Sequence, residues 1–191
     1  VAESRANVEK IGVQITMPEK QGFIDAMAPV YEKHVTDDVL GTVVPPADCK
    51  RHWRTDSVEI ALDPRGTSEN TSTTFKTGVF PTTLDAAHGN PPCWERDADN
   101  HQGGPASAPG MQVASAVSSP YAGYTLEVKI ALADLPAAVD PERLGLNIFI
   151  YDSDTQDLTG QTRLGWSTYG GVQGDPYRWG RASLPGYTAP A

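Results

Sequence analysis

The sequence predicts an all-β protein folded as an antiparallel β-sandwich, of the jelly-roll or immunoglobulin-like kind, with long loops. The 191 residues include 18 glycines and 16 prolines, well above the usual ~12% for these two residue types together. Several short segments alternate apolar and polar residues, and no stretch shows a convincing amphipathic helical pattern. Many short strands separated by turn residues are typical of a sandwich.

The strands are predicted from this period-2 alternation. In the clearest of them, residues 57–62, the side chains of Val58, Ile60 and Leu62 face one way and Glu59 faces the other. Further strands are predicted over residues 11–15, 39–44, 73–80, 111–117, 124–132, 146–151, 165–167 and 177–184. Residues 84–110, which are rich in glycine, proline and charge, are predicted to form one long loop. The whole chain, residues 1–191, is predicted to be a single domain.

The charge of the chain excludes several classes of partner. The net charge is −9 and the isoelectric point is near 4.8, so nucleic acid and anionic membrane surfaces would repel the protein. No apolar run approaches the ~20 residues that cross a bilayer. The acidic, lysine-poor composition and the two cysteines favour a secreted protein.

The two cysteines, Cys49 and Cys93, are predicted to form a disulfide. Both lie in proline-rich segments just outside predicted strands, and each is within four residues of a tryptophan. The alternative is a pair of free, buried thiols.

No motif for catalysis is present. The chain lacks the nucleophile-elbow, zincin, phosphate-loop and dinucleotide-binding patterns. The four histidines, His34, His52, His88 and His101, share no metal-ligand spacing. The sequence therefore favours a protein without catalytic activity. A catalytic glycosidase is the alternative, and it predicts sugar release by the isolated chain.

Two tryptophans are candidates for a carbohydrate site. Trp53 precedes the clearest strand, and Trp166 follows the most apolar one. Sugars are bound by aromatic rings that stack on their C–H faces and by charged or amide groups that reach their hydroxyls. Glu59, Lys76 and Arg163 would supply such groups. The alternative is that both tryptophans are core residues of the sandwich.

Three segments carry a family resemblance. Residues Trp53–Asp63 read Trp-Arg-Thr-Asp-Ser-Val-Glu-Ile-Ala-Leu-Asp, Gly123–Leu132 follow a Gly-aromatic-x-x-Glu strand pattern, and Leu144–Asp154 are followed by Arg163–Ser167. These segments, in this order, resemble the signatures of family 9 carbohydrate-binding modules. The resemblance covers about residues 35–185, and residues 1–34 match less well.

The resemblance implies a β-sandwich that accompanies secreted glycoside hydrolases and binds oligo- or polysaccharide without catalysis. It implies that Trp53 and Trp166 clamp a sugar, helped by Glu59 and Lys76, and that a calcium ion supports the fold. The same superfamily contains haem-binding electron-transfer domains. That alternative function would need an axial pair such as Met111 with a histidine.

Two acidic segments are candidates for calcium. Residues 95–102 offer Asp97 and Asp99, and residues 152–157 offer Asp152 and Asp154. Calcium takes 6–8 oxygen ligands, often from flexible acidic loops. Each segment has a simpler explanation as a solvated turn.

Overall fold

The computed structural model describes residues 43–96, 108–153, 162–167 and 174–188. The strands in these ranges are β1 (Ser57–Asp63), β2 (Phe75–Phe80), β3 (Cys93–Arg96), β4 (Gln112–Val117), β5 (Tyr124–Lys129), β6 (Leu144–Asp152), β7 (Thr162–Gly165) and β8 (Gly180–Ala182). The helices described there are three-residue 3-10 turns: Pro46–Asp48, His52–Arg54, Thr71–Thr73, Ala86–His88, Leu132–Asp134 and Pro176–Arg178. The predicted all-β class is confirmed.

The strands form one large sheet and one hairpin. Over the described ranges the large sheet has six strands in the order β3-β2-β1-β6-β7, with β8 also pairing with β6, while β4 and β5 pair with each other. All of these strand pairs are antiparallel. Strand β1 is central, because it pairs with β2 on one side and β6 on the other.

The two faces of the large sheet are buried to different extents. On β1, Ser57, Glu59, Ala61 and Asp63 are buried, whereas the alternating apolar residues between them are half-buried. We call the first side the polar face and the other the apolar face. The polar face is covered by the 52–54 turn and by Trp179, as described below.

The hydrophobic core lies on the apolar face. Its buried residues are Phe75, Val79, Trp94, Ala108, Met111, Leu135, Val139 and Leu144, and side chains of the β4–β5 hairpin pack against them. Next to this core, an open groove of about 840 Å³ separates the hairpin from β1 and β6. Val58, Ile60, Ile148 and Ile150 line the groove, which explains why they are only half-buried.

The structure contradicts one prediction, and two predicted strands lie wholly or mostly outside the described residues. The prediction of a continuous loop over residues 84–110 is wrong, because β3 lies within it and pairs with β2. Strand β3 escapes the hydrophobic pattern because it is short and two of its buried residues, Glu95 and Arg96, are charged. The predicted strand over 11–15, and all of the 39–44 strand except Val44 and its neighbour at position 43, lie outside the described residues.

The predicted disulfide between Cys49 and Cys93 is confirmed, with an S–S distance of 2.04 Å. It joins the segment before the 52–54 turn to the first residue of β3. The closed loop therefore contains β1 and β2.

Breaking the disulfide should destabilise the domain substantially. A loop with a sequence separation of 44 residues contributes about 4 kcal/mol in the chain-entropy description. We expect the Cys49→Ala/Cys93→Ala double variant to lose up to this much free energy of unfolding, measured by urea denaturation against the oxidised parent. A variant as stable as the parent would contradict this expectation.

Among the residues that the structure describes, no helix has the length and apolar character needed to cross a membrane.

Candidate functional site

The site is built around a tight turn that leads into β1. Arg51 adopts a left-handed backbone conformation, with φ 59° and ψ 48°, and the 3-10 turn His52–Arg54 begins directly after it. The hydroxyls of Thr55 and Ser57 both donate to the carbonyl of His52, at 3.0 and 2.7 Å. These two hydrogen bonds fold the turn back over the polar face of β1.

The turn inserts His52 between two carboxylates of the sheet. Its Nε2 lies 2.8 Å from Oε2 of Glu59 on β1, and its Nδ1 lies 2.9 Å from Oε1 of Glu95 on β3. The backbone N–H of His52 also donates to Oε1 of Glu95, at 2.7 Å. Lys76 on β2 places its Nζ 3.3 Å from Oε1 of Glu59, and the hydroxyl of Tyr151 on β6 donates to Oε2, at 2.9 Å. We call these five residues the buried polar network.

A glycine makes room for the histidine. Gly78 on β2 pairs with Glu59 on one side and with Glu95 on the other. A Cβ at this position would overlap the imidazole ring of His52. Glycine inside a strand often marks a close approach of this kind. The missing side chain therefore creates the space in which His52 reaches both carboxylates.

The network balances its own charge. Both ring nitrogens of His52 face carboxylate oxygens, an arrangement that suits the imidazolium because both of its nitrogens donate. In that form the positive charges of His52 and Lys76 match the negative charges of Glu59 and Glu95. Such pairing is what permits charges to be buried, and Glu59 and His52 are 0% exposed.

The pKa of Glu59 is lowered from its ordinary value of 4.5. Burial raises this pKa. The hydrogen bond from His52, the charges of Lys76 and His52, and the hydroxyl of Tyr151 lower it, and together they outweigh the effect of burial. The net direction shows that the folded protein favours the ionised carboxylate.

Acid should therefore weaken the fold. A carboxyl whose pKa is lower in the folded than in the unfolded state stabilises the fold above the unfolded value, and this stabilisation is lost as the pH falls through the folded value. We expect the free energy of unfolding to decline below about pH 4.5, and Glu59→Gln to flatten the decline. The measurement is urea denaturation of both proteins between pH 7 and pH 3. Parallel pH profiles would contradict the assignment to Glu59.

Trp53 is braced by neighbouring rings. It packs against the cluster formed by Ala61, Phe149, Tyr151 and Trp179. The imidazole of His52 contacts Trp53 edge-on, with 5.3 Å between ring centroids, and contacts Tyr151 in the same way at 5.4 Å. Trp53 itself remains half-buried. The network and the aromatic cluster thus hold a partly exposed indole ring in one orientation.

The remaining predicted sugar-site residues occupy two places. Arg163 on β7 pairs with Tyr151, and its guanidinium carbon lies 5.5 Å from the centroid of that ring, a cation–π geometry. Trp166 lies just after β7, with its backbone N–H donating to Ile148, and it is 51% exposed. In the part of the chain that the structure describes, Trp166 is not among the residues packed in the Trp53 cluster.

The sequence comparison places the chain in a family. The family described as "Carbohydrate family 9 binding domain-like" matches residues 30–187. The chain belongs to this family. The resemblance stated above is therefore confirmed, while the prediction that residues 1–191 form one domain stays a prediction. Among curated proteins, no significant match was found.

A solved structure of a family 9 module shares this fold. The chain is similar to a family 9 carbohydrate-binding module from Caldicellulosiruptor kristjanssonii in complex with cellotriose, with a TM-score of 0.52 and 16% identity. The match covers 80% of this chain and 66% of that one. A second structure of a family 9 module from the same organism, in complex with glucose, has a TM-score of 0.49 and 16% identity, covering 78% of this chain and 68% of that one.

The family 9 domain thus brings four of the five predicted sugar-site residues to one face. Glu59 and Lys76 belong to the buried polar network, Trp53 packs beside it, and Arg163 contacts its Tyr151 ring. Glu59 is fully buried and bonded to three neighbours. The prediction that it accepts hydrogen bonds from sugar hydroxyls stays a prediction.

Sequence reasoning missed His52 and Glu95. His52 is one of four histidines that share no metal-ligand spacing, and Glu95 falls in the segment predicted to be a loop. The signal that would have found them is Gly78, a glycine in the middle of an otherwise well-formed strand.

The predicted calcium ligands cannot form a site from the described residues alone. Asp97, Asp99 and Asp154 lie outside the described ranges, and Asp152 is half-buried at the end of β6. Across those ranges, no group of three or more histidine, cysteine, aspartate or glutamate side chains is arranged to hold a metal ion.

Proposed function

We propose that this domain binds oligo- or polysaccharide without catalysis, with a sugar ring stacked between Trp53 and Trp166. Lys76 and Arg163 supply charged donors for sugar hydroxyls. Glu59 acts through the groups it holds, because its carboxylate fixes the Lys76 ammonium and the Tyr151 hydroxyl. A more specific version of this proposal is that the Glu59 carboxylate itself accepts a hydrogen bond from a sugar hydroxyl.

One observation carries the proposal: a half-exposed indole, Trp53, is packed against a buried network of charged residues. A hydrophobic core does not need such a network, since burying charges is costly and apolar packing alone stabilises a fold. Aromatic rings that are fixed before binding lose little freedom when a ligand stacks on them. Family membership points to the same class of ligand.

Calorimetric titration tests the proposal. Cellotriose is the first probe, because it is the ligand in the similar family 9 structure, and a glycan array then tests other sugars. We expect saturable binding with a dissociation constant in the micromolar to millimolar range, about 4–8 kcal/mol. Absence of binding to every sugar on the array would overturn the proposal.

Two simple controls test the alternative functions, glycoside hydrolysis and haem binding. Release of sugar from oligosaccharides by the purified chain would favour a glycosidase. A Soret absorption band would favour the haem-binding alternative. In the described residues, both ring nitrogens of His52 already contact carboxylates, so this histidine is not poised to ligate iron with Met111.

We further propose a structural calcium ion bound through the acidic segments around Asp97, Asp99, Asp152 and Asp154. A chain with a net charge of −9 gains stability from a bound cation. Exhaustive chelation should lower the melting temperature, and added calcium should restore it while magnesium does not. Unchanged melting, together with no metal in elemental analysis, would contradict the proposal.

We also propose that the domain is secreted and accompanies a polysaccharide-active enzyme. The confirmed disulfide suits an oxidising compartment, and a non-catalytic sugar-binding domain acts most simply by holding a catalytic partner near its substrate.

A further inference from the structure

Three strands of the large sheet meet beside Trp166. Asn147 on β6 is fully buried, and its Oδ1 accepts hydrogen bonds from the backbone N–H groups of Ile148, at 3.0 Å, and Ser167, at 3.2 Å. Because both partners are donors, the amide orientation of Asn147 is fixed. Asn147 therefore holds the residue that directly follows Trp166.

Ser167 also contacts β8. The hydroxyl oxygen of Ser167 accepts the backbone N–H of Gly180, at 2.9 Å. Trp166 is itself anchored to β6, since its backbone N–H donates to the carbonyl of Ile148 at 2.8 Å. The backbone on both sides of the Trp166 side chain is thus tied to β6, and Ser167 links it to β8.

The ring of Trp166 lies against a glycine. A Cβ at Gly180 would lie 2.8 Å from Cζ3 of Trp166 and 2.9 Å from Cβ of Ser167. Both distances are shorter than van der Waals contact between carbon atoms. The absence of a side chain at position 180 therefore permits the position of an indole ring that is still 51% exposed.

We infer that Asn147, Ser167 and Gly180 are positioning residues that orient Trp166 as a sugar-stacking surface. This inference rests on the proposed function. A large exposed aromatic ring normally samples several rotamers, and ordering it on binding costs affinity. Here, the hydrogen bonds of Asn147 and Ser167 tie down the backbone next to Trp166, and the bare Gly180 leaves room for the ring edge against the sheet before any sugar arrives.

The variant Gly180→Ala tests this inference. Its methyl group would meet both the edge of the Trp166 ring and the Cβ of Ser167, and we expect the exposed ring to move further than Ser167. We expect the indole N–H resonance of Trp166, assigned by its loss in Trp166→Ala, to shift in 15N-labelled protein. We expect affinity for cellotriose, or for the best sugar of the array, to fall about tenfold or more, about 1.4 kcal/mol.

Gly174→Ala is the matched control. A Cβ at Gly174 meets no atom within 4 Å, so this variant should keep both the resonance and the affinity of the parent. Ser167→Ala removes the acceptor of the Gly180 N–H without adding bulk, and it carries the same test if Gly180→Ala does not fold.

The outcomes separate the inference from the proposed function. If Trp166→Ala abolishes binding while Gly180→Ala and Ser167→Ala leave affinity unchanged, the inference is overturned and the proposed function stands. If Trp166→Ala also binds like the parent, the stacking role of Trp166 fails and the inference fails with it. A shifted resonance with weakened binding in Gly180→Ala, and neither change in Gly174→Ala, supports the inference.

Discussion

Replacing Gly78 with alanine is expected to destabilise the domain by about 3–5 kcal/mol, the range observed when one partner of a buried charge pair is lost. The added methyl group would occupy the position of the His52 ring. His52 would then leave Glu59 and Glu95, and both carboxylates would lose a buried hydrogen-bond donor.

The expected sign is opposite to that of backbone propensity. In a strand interior, alanine is normally better than glycine by about 0.5–1 kcal/mol. Urea denaturation of Gly78→Ala, with Gly174→Ala as the control in open space, therefore distinguishes the two effects. If Gly78→Ala proves as stable as the parent, His52 is not held in the way described.

The same variant should weaken sugar binding. Displacement of His52 removes the ring that braces Trp53 at 5.3 Å. Partial retention of the fold with weakened binding would show that the buried polar network acts on the site as well as on stability.

Alanine at Trp53 or Trp166 is expected to abolish detectable sugar binding. Loss of a stacked indole costs a few kcal/mol of binding free energy, out of the total of about 4–8 kcal/mol expected for a micromolar to millimolar dissociation constant. The two variants should differ in stability, however. Trp53 packs against the Tyr151–Trp179 cluster, so Trp53→Ala should also lower the free energy of unfolding, by about 3 kcal/mol.

Trp166→Ala is the cleaner test, because the side chain is 51% exposed and its removal should leave the melting temperature nearly unchanged. Trp53→Phe complements it by keeping most of the packing while shrinking the stacking surface. Calorimetry and thermal melting on each variant give the two readouts. If Trp166→Ala still binds sugar, Trp166 does not stack on the ligand.

The strands of the large sheet were predictable where one face is apolar. The alternation of Val58, Ile60 and Leu62 gives the position and phase of β1, and the structure has the same phase. The disulfide was predictable because two cysteines permit only one internal pair. These features depend on local pattern and on counting, which a single sequence contains.

The buried polar network was not predictable in the same way. Its members come from the 52–54 turn and from four different strands, so their proximity depends on strand order and register rather than on spacing along the chain. Glu59, Lys76 and Glu95 are charged residues in buried positions, where a reading based on hydrophobicity expects exposure. For the same reason the sequence predicts a loop where β3, with Glu95 and Arg96, forms.

The covalent link between Cys49 and Cys93 has a consequence for cleaved forms of the protein. The turn after β1 presents an exposed arginine, Arg65, that a trypsin-like protease recognises. A cut there would divide the chain into residues 1–65 and 66–191, yet one cysteine lies in each fragment. Glu59 would stay on one fragment and Gly78, Lys76 and Glu95 on the other, with the two fragments still tethered to each other. In an environment rich in proteases, a nicked domain of this kind would part only when a reductant is present.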